Sequence, residues 1–193
     1  MPPVTKVWLS ILKDPQSIDS ANFRELISEI LNLCSSYTNP EPSGPQMHVL
    51  YRNINNPSHL LMITGYQSQE LNTQADAVYA EKLFPRMLQY VSHGWLRQLD
   101  IDVRALPLEE NILVAYGKDP QKWADHNKGI GGWDIWPETA QGRKMRGNAS
   151  GEDDINSEGE RFWMQVTDWD GHSKDTSQLV NCEKLYLRKF VGR

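Results

Sequence analysis

Two short apolar strands, residues 7–12 and 111–117, run directly into the same tetrapeptide, Lys13-Asp14-Pro15-Gln16 and Lys118-Asp119-Pro120-Gln121. Proline supplies no ladder donor, so each tetrapeptide ends its strand at the same point of its path. A second echo follows at nearly the same offset. Leu61-Met62-Ile63-Thr64-Gly65-Tyr66 is answered by Met164-Gln165-Val166-Thr167-Asp168-Trp169. Each of these strands leads into a polar segment, ending in Asn72-Thr73 and Asp175-Thr176 respectively. The pattern reads as two tandem, diverged forms of one supersecondary unit, residues 1–104 and 110–193.

The first unit shows its elements clearly. Asp19 or Ser20 caps a helix in which Phe23, Leu26, Ile27, Ile30, Leu33 and Cys34 recur at helical spacing. Residues 39–45, rich in Pro, Ser and Gly, form a loop. Residues 47–54 and 59–66 flank Asn55-Asn56-Pro57-Ser58 and make a hairpin. Asn72 or Thr73 caps a second helix, with Val78, Leu83, Phe84, Met87, Leu88 and Val91 inward and Pro85 kinking or splitting it. Leu99, Ile101 and Val103 alternate with Asp100 and Asp102 as a fourth strand. The order is β-α-β-β-α-β, the ferredoxin-like pattern of an α+β protein.

The second unit departs from the first. Residues 121–128 are followed by Gly129-Ile130-Gly131-Gly132, which disfavours a helix. Residues 142–160 are polar and poor in large apolar side chains, and read as a flexible insertion. A strand resumes at 162–169, residues 171–182 leave room for a short second helix, and 185–190 close the chain.

Composition narrows the function classes. Of 193 residues 39% are hydrophobic, enough to build a core. The formal net charge is −5 with Lys and Arg scattered, which argues against a nucleic-acid partner, since that needs a basic face. No apolar run approaches the roughly 20 residues that span a bilayer, so no membrane partner is expected. The N-terminus shows no secretory signal. Cys34 and Cys182 stand alone, one per unit, which fits a reducing, cytoplasmic setting without disulfides.

The residues able to carry chemistry are dispersed. Trp123, Trp133, Trp136, Trp163 and Trp169 all lie in the second unit. Trp133-Asp134-Ile135-Trp136-Pro137 falls where regular structure weakens, so Trp133 and Trp136 are expected to wall an apolar ligand cavity. The alternative is that these rings fill a core short of aliphatic side chains. The histidines form no H-x-x-x-H or H-E-x-x-H pair, so no metal site is expected. Asp168 and His172 are four apart, and Asp125 adjoins His126; either pair fits a carboxylate-oriented base. His48 lies on a central strand and is a third acid–base candidate. Tyr51 and Tyr66 are phenol donors. The expected site joins His48, Asp168 and His172 as catalytic groups with Tyr66, Trp133, Trp136 and Trp169 as substrate contacts. Gly129-Ile130-Gly131-Gly132 lacks the Lys-Ser/Thr of a phosphate loop, so no nucleotide or flavin cofactor is expected.

The strand order, together with strands that end in an aromatic residue before a polar helix start (Thr64-Gly65-Tyr66, Thr167-Asp168-Trp169), resembles the dimeric α+β barrel superfamily. The nearest branch is that of the antibiotic-biosynthesis monooxygenases (ABM-like proteins). The resemblance covers nearly all of the first unit and only strand ends of the second. It implies two ferredoxin-like sheets closing one α+β barrel, here from a single chain, with a homodimer compatible. It also implies cofactor-free oxygenation, cyclisation or isomerisation of an aromatic or polyketide-like molecule in secondary metabolism. The competing expectation is a non-catalytic small-molecule-binding or interaction protein on the same scaffold.

Overall fold

The computed structural model describes residues 2–38, 47–122, 124, 129–135, 162–170 and 182–192. The flexible insertion expected at 142–160 lies outside them, as do Trp123, Asp125, His126, Trp136 and His172.

The first strand, β1, covers Val4–Leu12. Asp14 then caps a 3-10 turn over Pro15–Asp19, its carboxylate accepting the Gln16 N–H at 2.9 Å. The second Lys-Asp-Pro-Gln also leads into a 3-10 turn, with different backbone. Its proline opens a 3-10 turn at Pro120–Lys122, but Asp119 takes φ 53, a left-handed value that Asp tolerates. Helix α1 spans Ala21–Thr38. Ser20 Oγ accepts the Phe23 N–H at 3.2 Å at its start. Its inward stripe includes Phe23, Leu26, Ile27, Ile30 and Leu31, all at most 1% exposed, with Leu31 in the place expected for Leu33. Each such burial is worth roughly 1.5–3 kcal/mol, enough to dock the helix.

Strands β2, His48–Asn53, and β3, His59–Tyr66, form the expected hairpin. The second helix is indeed divided: α2 runs Gln69–Lys82 and α3 Phe84–Tyr90, with Pro85 in the first turn of α3. Its cap is Ser68, not Asn72 or Thr73; Ser68 Oγ accepts the Leu71 N–H at 3.3 Å. The fourth strand also differs from expectation. β4 is Val91–Leu99, and Val103–Ala105 is a 3-10 turn. Val91 begins a strand because it pairs with Leu12 of β1, a contact invisible to helical periodicity. Ile101 and Val103 still reach the core, from a loop.

Strands β5 (Asn111–Gly117), β6 (Ile130–Trp133), β7 (Trp163–Asp168) and β8 (Glu183–Gly192) complete the sheet. The glycine run at 129–132, read above as a helix breaker, is largely the strand β6. The order is β4-β1-β3-β2-β8-β5-β7-β6, with each pair of neighbouring strands antiparallel. The first four strands thus stand as 4-1-3-2 and the last four as 8-5-7-6, so β1 and β5 hold matching places in their quartets. The outer edges meet: Leu99 and Asp134 form a bridge, and the Ile135 N–H donates to the Gln98 carbonyl at 2.6 Å.

This curl separates two cores. One is built from strand residues of both quartets, Val7, Val49, Ile63, Ile112, Val114 and Val166 among them, and lies inside the curl. Loop residues Val103, Leu106 and Leu108 join it. The other lies between the outer face of β1–β4 and the three helices, with Trp8, Leu50, Leu60 and Met62 from the sheet.

Candidate functional site

Alternation along a strand sends neighbouring residues to opposite faces, and on the first quartet this leaves one polar row outside. Lys6 pairs with Thr64 and with Gln98, and Thr64 pairs with His48, so these four side chains cross β4-β1-β3-β2 in register. The row two residues along is apolar: Trp8 pairs with Met62 and Leu96, and Met62 with Leu50. The helices cover both rows.

Helix α2 answers the polar row with polar groups of its own. Asn72, Asp76 and Tyr79, spaced i, i+4 and i+7, face the sheet. Asn72 Nδ2 donates to Gln98 Oε1 at 3.4 Å, and the Gln98 amide also bonds Gln69. Lys6 Nζ forms an ion pair with Asp76 Oδ1, with side-chain exposures of only 12% and 17%. Asp76 Oδ2 and the Tyr79 hydroxyl are buried and, among the described residues, have no hydrogen-bond partner. An unmade bond on a buried polar group costs about 1–3 kcal/mol, so two at one place mark a position that a ligand would complete.

Those groups open onto a cavity of about 450 Å³ between the sheet and the helices. Trp8, Met62, Leu96, Phe84 and Leu88 give it apolar walls. Lys6, Asp76, Thr64, Tyr66 and Tyr79 form its polar end, with Cys34 beside them and His93 at the mouth. The Tyr66 hydroxyl and the Cys34 thiol interact with each other. Burial, reinforced by Cys34, raises the Tyr66 phenol well above its ordinary value. Burial likewise raises the Cys34 thiol, an effect the Tyr66 bond partly offsets. Burial, with Cys34 and Asp76 adding to it, raises Tyr79. These three groups are therefore neutral hydrogen-bonding groups at neutral pH, and Asp76 stands out as the acceptor.

The expected site residues separate. Tyr66 lines the cavity. His48 sits behind it, with ring centroids 6.0 Å apart, and is fully buried. Its Nε2 is 2.8 Å from Thr38 Oγ1, and burial lowers its pKa to about 4, so it is a neutral structural imidazole. Tyr51 points into the inner core, and its hydroxyl donates to the Glu109 carbonyl at 3.0 Å. Trp133 packs edge-on against Trp163 at 5.3 Å on β6 and β7, and walls no part of this cavity. Asp168 ends β7 exposed, opposite Ile112, and Trp169 packs on Tyr186 at 5.1 Å. Of the expected site residues that the structure describes, Tyr66 alone lines this cavity; Trp136 and His172 lie outside the described residues. Sequence reading missed Lys6, Asp76 and Tyr79. One signal was present: α2 carries a polar stripe where a docking helix ordinarily carries an apolar one.

No family model matches the sequence. No curated protein sequence matches it either. Solved structures do share its shape. A Lactobacillus acidophilus protein provisionally described as a monooxygenase superposes with TM-score 0.52 at 9% identity, over 100% of this chain and 96% of that one. An anthrone oxidase-like protein gives TM-score 0.52 at 11% identity, over 100% and 93%. A haem-binding protein from Thermus thermophilus gives 0.51 at 9%, over 97% and 91%. The fold is a ferredoxin-like α+β barrel. Identities this low speak to fold, because one scaffold hosts many chemistries. Among the described residues, no helix of this barrel is long and apolar enough to cross a membrane.

Haem is a poor match to the cavity of this barrel. Haem iron commonly takes a proximal imidazole nitrogen, whose partner nitrogen donates its hydrogen elsewhere. Among the described residues His93 is the one histidine lining the cavity, and its Nδ1 lies 3.0 Å from the Trp8 indole Nε1. An indole N–H can only donate, so Nδ1 accepts and Nε2 carries the hydrogen. That is the tautomer opposite to the one an Nε2-ligated iron requires.

Proposed function

We propose that this protein is a cofactor-independent enzyme acting on a flat, mostly apolar carbonyl or phenol compound bound between the helices and the first quartet of strands. The observation that carries this reading is Asp76. One carboxylate oxygen is held by Lys6, and the other is buried, without a partner among the described residues, and at the polar end of an apolar cavity. Such an oxygen is placed to take a proton, and the low-polarity walls strengthen every charge interaction around it.

The reaction that fits begins with removal of a proton from a ring carbon that is conjugated, through the ring system, with a carbonyl. The C–H electron pair passes into the ring system and onto the carbonyl oxygen. With dioxygen as oxidant, a ring methylene of the anthrone type becomes a second carbonyl and the other oxygen atom leaves as water. The likeness of the barrel to monooxygenase-like and anthrone oxidase-like proteins supports the choice of oxygenation over cyclisation or isomerisation. Tyr66 and Tyr79 supply phenol donors along the ligand edge. The competing reading, a binding protein without chemistry, would be favoured by a cavity free of titratable groups, and this cavity holds several.

The same proposal extends to the chain's architecture: residues 1–104 and 110–193 are tandem, diverged forms of one unit. The shared 4-1-3-2 and 8-5-7-6 order and the matching places of β1 and β5 support it. The ligand site belongs to the first unit alone.

The test is to incubate the purified protein with anthrone in aerated buffer and follow quinone formation by absorbance. Wild type should accelerate it, and Asp76→Asn should lower the rate about 10²–10⁴-fold while anthrone still binds. Binding with equal rates in both proteins would favour the non-catalytic reading.

A further inference from the structure

The β4 strand carries a defect that changes where one side chain points. Along β4, Trp95 pairs with Leu9, but the next pair toward the start of the strand is His93 with Ser10. Gly94 is left over, as the extra residue of a β-bulge. A Cβ at Gly94 would lie 2.8 Å from the Leu9 carbonyl oxygen, so only glycine fits this kink. The consequence follows from parity. Trp95 joins the inner core, while Leu96 joins the outer one and Gln98 bonds α2. Without the bulge His93 would share the inward face of Trp95. With it, His93 turns outward to the cavity mouth, stacked near Trp8 with centroids 6.5 Å apart.

The Trp8 indole then fixes the chemistry of the ring. Because Nδ1 accepts the indole hydrogen, Nε2 bears the hydrogen of the neutral ring. The residue is exposed, and partial burial of its ring lowers its pKa from the ordinary histidine value. Among the described residues Nε2 has no hydrogen-bond partner. Trp8 is thus a positioning residue, and His93 presents one fixed donor to the cavity.

The spacing along β1 leaves room for a single ligand between His93 and Asp76. Lys6, which holds Asp76, and Ser10, which pairs with His93, are four residues apart on β1, or about 13 Å at ~3.3 Å per residue. A six-membered ring with its acidic C–H and its carbonyl on opposite edges, plus contacts of ~3 Å at each end, bridges on the order of 10 Å.

Building on the Asp76 reading, we propose that His93 is a second catalytic residue, donating its Nε2 hydrogen to the ligand carbonyl oxygen as Asp76 takes the proton from the opposite ring edge. The C–H bond breaks, an O–H bond forms on Asp76, and the electron pair settles on the oxygen that His93 faces. The substrate class is a cyclic ketone whose acidic carbon lies across the ring from its carbonyl. No oxidant takes part in this step.

The proton step can be read without oxygen. Anthrone in anaerobic deuterated buffer exchanges its ring-methylene hydrogens, and proton NMR follows the loss. Wild type should accelerate exchange and Asp76→Asn should not. His93→Phe should slow the protein-catalysed exchange about 10²-fold, the usual cost of one lost oxyanion donor, with anthrone affinity within threefold. His93→Gln, whose amide again offers an N–H, should recover at least tenfold of that loss. Trp8→Phe should give an intermediate rate, and nitrogen NMR should show His93 shifting toward a mixture of tautomers. If Asp76→Asn fails while His93→Phe matches wild type, the His93 assignment is wrong and the Asp76 reading stands. If wild type itself causes no exchange, both assignments fall together.

Discussion

Arg97 and Asp134 are joined across the seam of the barrel. Arg97 Nη1 donates to Asp134 Oδ2 at 3.1 Å, with side-chain exposures of 12% and 2%. Oδ1 of the same carboxylate accepts the Gln98 N–H at 3.1 Å. The guanidinium also lies 4.7 Å from the Phe162 ring. One aspartate after β6 thus fastens the last edge of the sheet to β4.

Removing that carboxylate leaves a buried guanidinium and a backbone donor without their partner. Asp134→Ala should therefore cost about 3–5 kcal/mol in urea unfolding. Asp134→Asn keeps an acceptor for Gln98 and should cost less. Hydrogen exchange at Gln98 and Asp100 should speed up in the alanine variant. A loss below about 1 kcal/mol would mean that backbone bonds alone hold the seam.

His48 makes stability depend on pH. Its pKa falls from 6.5 to about 4 on folding because burial disfavours the cation. The unfolded chain therefore binds more protons between those values, and stability rises with pH across that window. The contribution is complete above pH 6.5, is lost as pH falls toward 4, and amounts to about 3 kcal/mol. Denaturant titrations at pH 7 and pH 4.5 should show the drop, and His48→Gln should flatten it. An equal drop in the variant would assign the effect to other groups.

The Lys6–Asp76 pair should behave as a buried pair. Lys6→Met strands the carboxylate and should cost about 3–5 kcal/mol, whereas Lys6→Met with Asp76→Leu should fold within about 1 kcal/mol of wild type. A double-mutant cycle in guanidinium chloride measures the coupling. Additive losses would show that the two groups are hydrated rather than paired.

Gly65 tests the packing that supports the polar end of the cavity. It sits on β3 beside Tyr66, and a Cβ there would overlap the side chain of Val103. Gly65→Ala should cost about 1–3 kcal/mol through overpacking. Val103→Ala should absorb part of that strain, so the double variant should lose less than the two single losses added together. Thermal unfolding of the three variants decides it.

Much of the first half could be read from local pattern. The α1 stripe, the hairpin around Asn55-Asn56-Pro57-Ser58 and the division at Pro85 each follow from a periodicity or a backbone constraint within a few residues. The β-α-β-β-α-β order followed from those elements. The end of the second helix and the start of β4 did not, because Val91 suits either state and its pairing with Leu12 decided the matter.

The candidate site was beyond such reading. Trp133, Asp168 and Trp169 drew attention as aromatic and charged residues in sequence, yet β6 and β7 place them away from the cavity. Lys6, Thr64, Asp76 and Tyr79 look ordinary in sequence. They converge only when strand register aligns Lys6 with Thr64 and α2 docks its polar side above them. The Gly94 bulge, which aims His93, exists only against the carbonyl of Leu9. The sequence by itself determined elements, because helical and strand preferences act over a few neighbouring residues. The tertiary structure decided register, closure and the cavity, because those depend on contacts between residues far apart along the chain.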